Sequence, residues 1–167
     1  YAIESSVTIM DVIFRNNTSR WFAGGLRLHG GGSPSLNLTA TLSNVIFANN
    51  EAPAGAGGLY VYLLNPILNN VVFYNNITGL NGEGNDLRLW ATDPIIANSI
   101  FWGNSNNEES IYIYGFNSNP IIRYSNIEDG WEGEGTGNIS NNPLFNNPED
   151  GDFSLHPDSP CIDEGTV

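Results

Sequence analysis

Two predicted columns of aromatic and arginine side chains are the strongest candidates for a binding surface in this chain. The first column comprises Arg27, Tyr60, Arg88 and Tyr112. The second comprises His29, Tyr62, Trp90 and Tyr114. A column that alternates guanidinium and phenol groups permits cation–π and stacking contacts. The aromatic stripe, roughly 15 Å long at ordinary strand spacing, could contact a sugar ring or a protein partner.

The columns follow from four short segments with strict alternation of apolar and other residues, which is typical of half-buried strands. The segments begin at Leu26, Leu59, Leu87 and Ile111. If the leucine and isoleucine positions point inward, the alternate positions point outward. Tyr74 and Trp102 add two outward aromatic residues on another strand. Three interpretations stay open: rings that stabilise the sheet, a protein or self-assembly face, and a glycan-binding face.

Four carboxylates within one short loop suggest a weaker candidate, a calcium site. The residues are Glu128, Asp129, Glu132 and Glu134. Ca²⁺ takes several oxygen ligands from flexible loops, but the loop matches neither the EF-hand pattern nor the glycine-rich calcium repeat. A solvated acidic loop is the favoured interpretation, and no cofactor is expected to be required.

No catalytic residue is predicted. Lysine is absent, and the middle strands carry almost no carboxylates, whereas a glycosidase needs two of them flanking one bond. His29 and His156 are the only histidines, and neither has an obvious nucleophile partner. A polysaccharide lyase or hydrolase remains the alternative.

The charge of the chain limits its partners. The formal net charge is −13, which would repel nucleic acid. No apolar run approaches the length of a membrane span. Cys161 is the single cysteine, so an intrachain disulfide is excluded and a small buried apolar role is expected.

The elements that position these residues come from an internal repeat. Four segments of similar sequence place a phenylalanine at the same point and end in a turn, at intervals of about 26 to 33 residues. Their phenylalanines are Phe14, Phe47, Phe73 and Phe101, and Ile127 holds the place in a degenerate fifth copy. Asparagine tolerates left-handed backbone, and stacked amides hydrogen-bond from copy to copy. We therefore predict a structural stack of Asn17, Asn50, Asn76 and Asn104.

Each repeat holds three short strands, and the third begins with Pro66, Pro94 or Pro120. Strands that recur in the same order, with no helical pattern, predict an all-β fold: a right-handed parallel β-helix of about five to six rungs. Residues 1–167 are expected to form one domain, with rungs over 1–140 and a closing rung and cap over 141–167. The beginning of the chain carries no such cap, which suggests either further rungs or head-to-tail assembly.

The C-terminal sequence carries a resemblance to a known family. Residues 137–145, 152–156 and 159–163 resemble the end of right-handed parallel β-helix repeat proteins of bacterial surfaces, namely polymorphic outer-membrane-protein-like and pectate-lyase-like solenoids. The resemblance implies an extracellular or cell-surface location. It leaves function open, because this scaffold carries lyases, hydrolases, adhesins and spacers. We expect a non-catalytic structural or adhesive protein that binds copies of itself or cell-surface glycans.

Overall fold

A computed structural model describes residues 2–3, 6–31, 38–79, 84–104, 109–114 and 118–165, with only the backbone of residues 2 and 3. Over these ranges the protein is all-β, and its helical content is one 3₁₀ turn, Pro148–Asp150. In chain order the strands are β1 Ala2–Ile3, β2 Val7–Arg15, β3 Leu26–His29, β4 Ala40–Ala48, β5 Glu51–Ala52, β6 Leu59–Tyr62, β7 Ile67–Tyr74, β8 Ile77–Thr78, β9 Leu87–Trp90, β10 Ile95–Ala97, β11 Ile100–Trp102, β12 Ile111–Tyr114, β13 Ile121–Arg123, β14 Asn126–Ile127, β15 Phe145–Asn147 and β16 Asp152–Leu155. In this part of the chain no helix is long and apolar enough to cross a membrane.

The strands assemble into parallel sheets that follow the sequence repeat. One sheet has the order β1-β3-β6-β9-β12. A second contains β13-β10-β7-β11-β14, with β4 paired to both β2 and β7. β5 and β8 form a short third parallel pair, and among the described strands only β15 and β16 pair antiparallel. Strands of consecutive repeats therefore lie beside each other, as the recurring strand order predicts.

The register confirms how the repeats align. Phe14 pairs with Phe47, Phe47 with Phe73, Phe73 with Phe101, and Phe101 with Ile127. The four phenyl rings stack almost parallel, with centroids 5.0, 4.9 and 4.6 Å apart. Together with buried leucine, isoleucine and valine columns they form one core cluster. Burial of large rings in contact with each other supplies much of the apolar stabilisation of such a core.

The long strands bend at a repeated acidic or amide residue. Asp11, Asn44 and Asn70 all have φ near 55°, a region that asparagine and aspartate tolerate better than other side chains. The amide of Asn70 donates to Asn44 at 2.7 Å, and that of Asn44 donates to Asp11 at 3.0 Å. We call these three exposed residues the bend ladder.

The C-terminal region adds a short further repeat and an antiparallel hairpin to the parallel sheets. Trp131 packs against the core cluster, and residues 134–139 hydrogen-bond along β13 and β14 as a further repeat. The hairpin β15–β16 instead turns back along the side of the second sheet, where Phe145 and Phe153 contact Tyr74. Trp131 thus packs its ring over the last residues of the core, where it removes apolar surface from water.

Candidate functional site

The second aromatic column forms a continuous ladder of rings on the sheet that contains β3, β6, β9 and β12. We call it the open column: His29, Tyr62, Trp90 and Tyr114. Centroid distances between successive rings are 4.7, 5.2 and 4.4 Å. Trp90 is 37% exposed and Tyr114 is 39% exposed. The predicted stripe is therefore present, because parallel in-register pairing puts the fourth residue of each strand beside its copy.

The rings of the open column pack against one another. The His29 and Tyr62 rings are stacked at 29°, Tyr62 meets Trp90 edge to face at 74°, and Trp90 and Tyr114 are tilted at 52°. Neighbours at about 5 Å therefore occupy the ring faces, and the ring planes differ too much to make one flat platform. Ring edges and polar tips are what the column presents to a partner.

The first column is buried at its centre, although its outward direction favours exposure, and Arg27 and Tyr112 at its ends are half-buried. Tyr60 is 3% exposed and Arg88 is 8% exposed. We call Arg27, Tyr60, Arg88 and Tyr112 the covered column. The loop before β3 folds over it, so that the Phe22 ring lies 5.7 Å from the Arg27 guanidinium and 5.8 Å from that of Arg88. Alternation along a strand shows which residues point away from the core, but it does not show that a loop covers them.

Cation–π contacts hold the covered column together. The Arg27 and Arg88 guanidinium groups lie 5.2 and 5.5 Å from the Tyr60 ring centroid, and Arg88 also lies 5.8 Å from Tyr112 and 5.4 Å from Tyr114. Burial raises the pKa of the Tyr60 phenol, although both arginines oppose the rise. Desolvated contacts of this kind are worth about 2 kcal/mol. The covered column therefore supports the open column from the side through Arg88.

The outward aromatic residues of the second sheet have different surroundings. Tyr74 packs edge to face against Phe145 and Phe153, and its hydroxyl lies 3.1 Å from a Glu149 carboxylate oxygen. Burial and this hydrogen bond raise the pKa of Tyr74. The hairpin therefore occupies the face on which Tyr74 was predicted to bind. Trp102 is half-buried beside Tyr74 in the register of β7 and β11.

The predicted asparagine stack is present in its first three members. Asn17 donates to Asn50 at 2.9 Å and Asn50 donates to Asn76 at 2.9 Å, in both cases between side chains. The backbone N–H of each donor residue bonds to the same acceptor oxygen at 3.1 Å. Asn50 and Asn76 are fully buried, so this stack satisfies polar groups that water does not reach.

The fourth predicted member, Asn104, is connected to Asn76 through the carboxylate of Asp86, which is not part of the repeated asparagine motif. Asp86 accepts hydrogen bonds from Asn76 at Oδ1 and from Asn104 at Oδ2, both at 2.8 Å. We call Asn17, Asn50, Asn76, Asp86 and Asn104 the corner ladder. Asp86 is fully buried, and desolvation raises its pKa to about 7 against the opposing effect of its two amide donors. The place of Asp86 just before β9, where the earlier repeats have Gly25 and Gly58, was the signal in the sequence.

Two members of the acidic loop continue the same hydrogen-bonding pattern. Glu128 accepts from the backbone N–H of Gly103 at 2.8 Å and of Asn104 at 3.0 Å. Asp129 accepts from the backbone N–H and the hydroxyl of Ser110, both at 3.0 Å. Both carboxylates therefore bind the preceding repeat, while Glu132 and Glu134 are exposed. The described residues contain no cluster of three or more histidine, cysteine or acidic side chains placed to hold a metal ion.

A groove of about 410 Å³ runs between the second sheet and the C-terminal segment. Asn70, Asn98, Tyr124 and Ile100 line one side, and Cys161 and Asp163 line the other. Cys161 is half-buried, its sulfur lies 3.0 Å from the Asn126 amide, and burial raises the pKa of its thiol. A thiol held in this way is a weak nucleophile at neutral pH.

Comparisons with models of protein families, with curated proteins and with solved structures gave no match.

Proposed function

We propose that the parallel sheets close into a right-handed parallel β-helix, and that this solenoid is a non-catalytic structural and adhesive protein of a bacterial cell surface. The proposed contact is lateral self-assembly through the open column. Equivalent residues pair in register across five successive copies of the repeat, which is the pairing a β-helix requires. The C-terminal resemblance to β-helix surface proteins supports the location.

The geometry of the open column carries this proposal. Exposed Trp90 and Tyr114 edges, with their ring faces held by neighbours, form a rigid surface that loses little conformational entropy on binding. Tryptophan and tyrosine are also the residues that dominate the energetics of protein interfaces. A rigid ladder of edges suits a protein partner better than a sugar ring, which needs an open aromatic face.

Exposed aliphatic residues occur both beside the open column and on the second sheet. Leu63 follows the open-column residue Tyr62 directly, and Ile67 and Ile95 are paired neighbours on β7 and β10 with exposed side chains. Large exposed apolar areas mark interaction surfaces more often than not. The net charge of −13 opposes association between copies, so salt should promote it by screening.

Sedimentation velocity across protein and salt concentrations tests self-assembly. The wild-type chain should form larger species as protein concentration and ionic strength rise. Tyr62→Ser with Trp90→Ser should weaken association at least about tenfold, because each removes an aromatic anchor. Trp21→Ser is the matched control, because Trp21 is the most exposed tryptophan and lies outside the column.

Three outcomes separate the alternatives. Association lost in the double variant and kept in the control supports the proposal. A monomer at every concentration and salt level overturns it. A monomer that is retained on a neutral polysaccharide, and released by the double variant, would assign the column to glycan binding, while release of reducing ends or unsaturated sugars would show an enzyme.

A further inference from the structure

In the corner ladder, the buried carboxylate of Asp86 is hydrogen-bonded to the side-chain amide of Asn104, whose NH₂ group is bonded and whose oxygen is not. Asn104 donates through Nδ2 to Asp86 at 2.8 Å and to the Ser110 hydroxyl at 2.7 Å. Its carbonyl oxygen, Oδ1, is buried and has no hydrogen-bond partner in the described part of the protein. A buried acceptor left without a donor is destabilising, so this arrangement is not the best one for every protonation state.

The two amides that hold Asp86 differ in their freedom to turn. The Asn76 carbonyl oxygen accepts twice from Asn50, and its NH₂ group donates to the Phe47 carbonyl as well as to Asp86. Inversion of the Asn76 amide would break all of these bonds. Inversion of the Asn104 amide breaks no bond at Oδ1, because the described residues offer that oxygen no donor, and the NH₂ group then takes its place.

We propose that Asp86 and Asn104 form a proton-operated switch, in which protonation of Asp86 inverts the Asn104 side-chain amide. The proton comes from solvent and binds Asp86 Oδ2, which then donates to Asn104 Oδ1 in place of accepting from Nδ2. The inverted carbonyl oxygen also faces Ser110. The Ser110 hydroxyl then turns from Asp129 to Asn104.

The charged groups around Asp86 favour a switch in the neutral range. Burial raises the pKa of Asp86 to about 7, and the nearby carboxylates Glu128 and Asp129 add to the rise. The amide donors Asn76 and Asn104 oppose it. On one side Asp86 meets the uncharged Asn76, and on the other side the groups beyond Asn104 and Ser110 are Glu128 and Asp129.

The output of the switch is the acidic loop that leads to Trp131. When Ser110 turns, Asp129 loses the hydroxyl and keeps only the Ser110 backbone N–H. This loop directly precedes Trp131, which packs against the core at this end of the sheets. The inference concerns regulation of this end, and it stands whether or not the open column mediates self-assembly.

Nuclear magnetic resonance of the isotope-labelled 167-residue chain between pH 5 and 9 tests the switch. The Asp86 carboxyl carbon and the Asn104 side-chain amide should titrate with one midpoint near pH 7, and the ratio of the two amide orientations should change about tenfold per pH unit. The Asn76 amide should keep its orientation throughout. Titration of Asp86 near its ordinary value, or an Asn104 amide that keeps its orientation across the midpoint, overturns the proposal.

Two variants distinguish a switch from a purely structural contact. Ser110→Ala should preserve the Asn104 response and abolish the change of hydrogen-bond partner at position 110, because the hydroxyl that turns from Asp129 to Asn104 is gone. Asp86→Asn should hold Asn104 in one orientation at every pH, whereas the matched control Asp163→Asn, which removes one exposed carboxylate, should titrate as the wild type does. Loss of the Asn104 response in the control would also contradict the proposal. The wild-type titration decides the question even if Asp86→Asn does not fold.

Discussion

The corner ladder and the bend ladder use the same side chain at similar distances for different purposes. Amide hydrogen bonds in the corner ladder measure 2.8 to 2.9 Å, and those of the bend ladder measure 2.7 to 3.0 Å. The corner residues Asn50 and Asn76 are fully buried, while Asn44 and Asn70 are exposed. The bend residues have φ near 55°, whereas Asn50 and Asn76 are not in the left-handed region.

Burial decides what each ladder contributes. In the corner ladder no water replaces a lost partner, so each hydrogen bond is costly to remove. In the bend ladder water competes for every amide, and the main contribution of asparagine is its tolerance of left-handed backbone. The same contrast applies to the acids: Asp86 in the corner has a raised pKa because it is desolvated, whereas Asp11 lies at an exposed bend.

The largest expected effect comes from breaking the corner ladder at Asn50. Asn50→Ala removes the acceptor of Asn17 and the donor to the Phe14 carbonyl, and leaves a cavity between repeats. We expect a loss of about 5 kcal/mol in the free energy of unfolding, because several buried groups lose their hydrogen-bond partners at once. Urea unfolding measures it.

The control for this variant is Asn119→Ala, which removes an exposed asparagine side chain. It should change the free energy of unfolding by less than about 0.5 kcal/mol. Equal losses in the two variants would show that burial is not what separates the corner ladder from other asparagines.

The second effect is a pH dependence that only the corner ladder should show. The pKa of Asp86 rises from 3.8 in the unfolded chain to about 7 in the folded one. The stability that protonated Asp86 gives the folded state is therefore fully present below about pH 4 and is lost as the pH rises to about 7. Above that pH the free energy of unfolding does not change further through Asp86. The total is on the order of 4 kcal/mol.

Urea unfolding of the wild type and Asp86→Asn at pH 4, 6 and 8 isolates this contribution. The variant carries a neutral side chain of the same shape, so it should match the wild type most closely at pH 4 and exceed it in stability at pH 8. A difference between the two that does not change with pH would contradict the buried ionisation of Asp86.

The smallest effect belongs to the bend ladder. Asn70→Ala should cost about 1 kcal/mol, because alanine tolerates left-handed backbone poorly and the exposed bond to Asn44 is lost. Asn70→Gly should recover most of this loss, because glycine adopts the same φ without strain. Thermal unfolding of both variants compares them. If glycine were as destabilising as alanine, the side-chain bond would matter more than the backbone.

Much of the fold was predictable because residues at matching positions of successive repeats become neighbours in a parallel sheet. Phenylalanines at matching positions predicted the register that pairs Phe47 with Phe73, and strand alternation predicted the buried leucines of β6 and β9. The amide stack through Asn50 was predictable for the same reason, since parallel pairing places identical residues side by side. The aromatic order of the open column follows from that pairing as well.

The sequence by itself determined what recurs: the strands, their register, the phenylalanine stack and the amide ladder. Only the tertiary structure decided what covers these elements. Phe22 buries Arg88, the C-terminal hairpin covers Tyr74, and Trp131 covers the end of the core. These contacts join loops to distant strands without any repeat to mark them. Local periodicity records which way a side chain points, whereas its solvation depends on chain segments far away in sequence, and solvation sets the pKa of Asp86 and the exposure of Trp90.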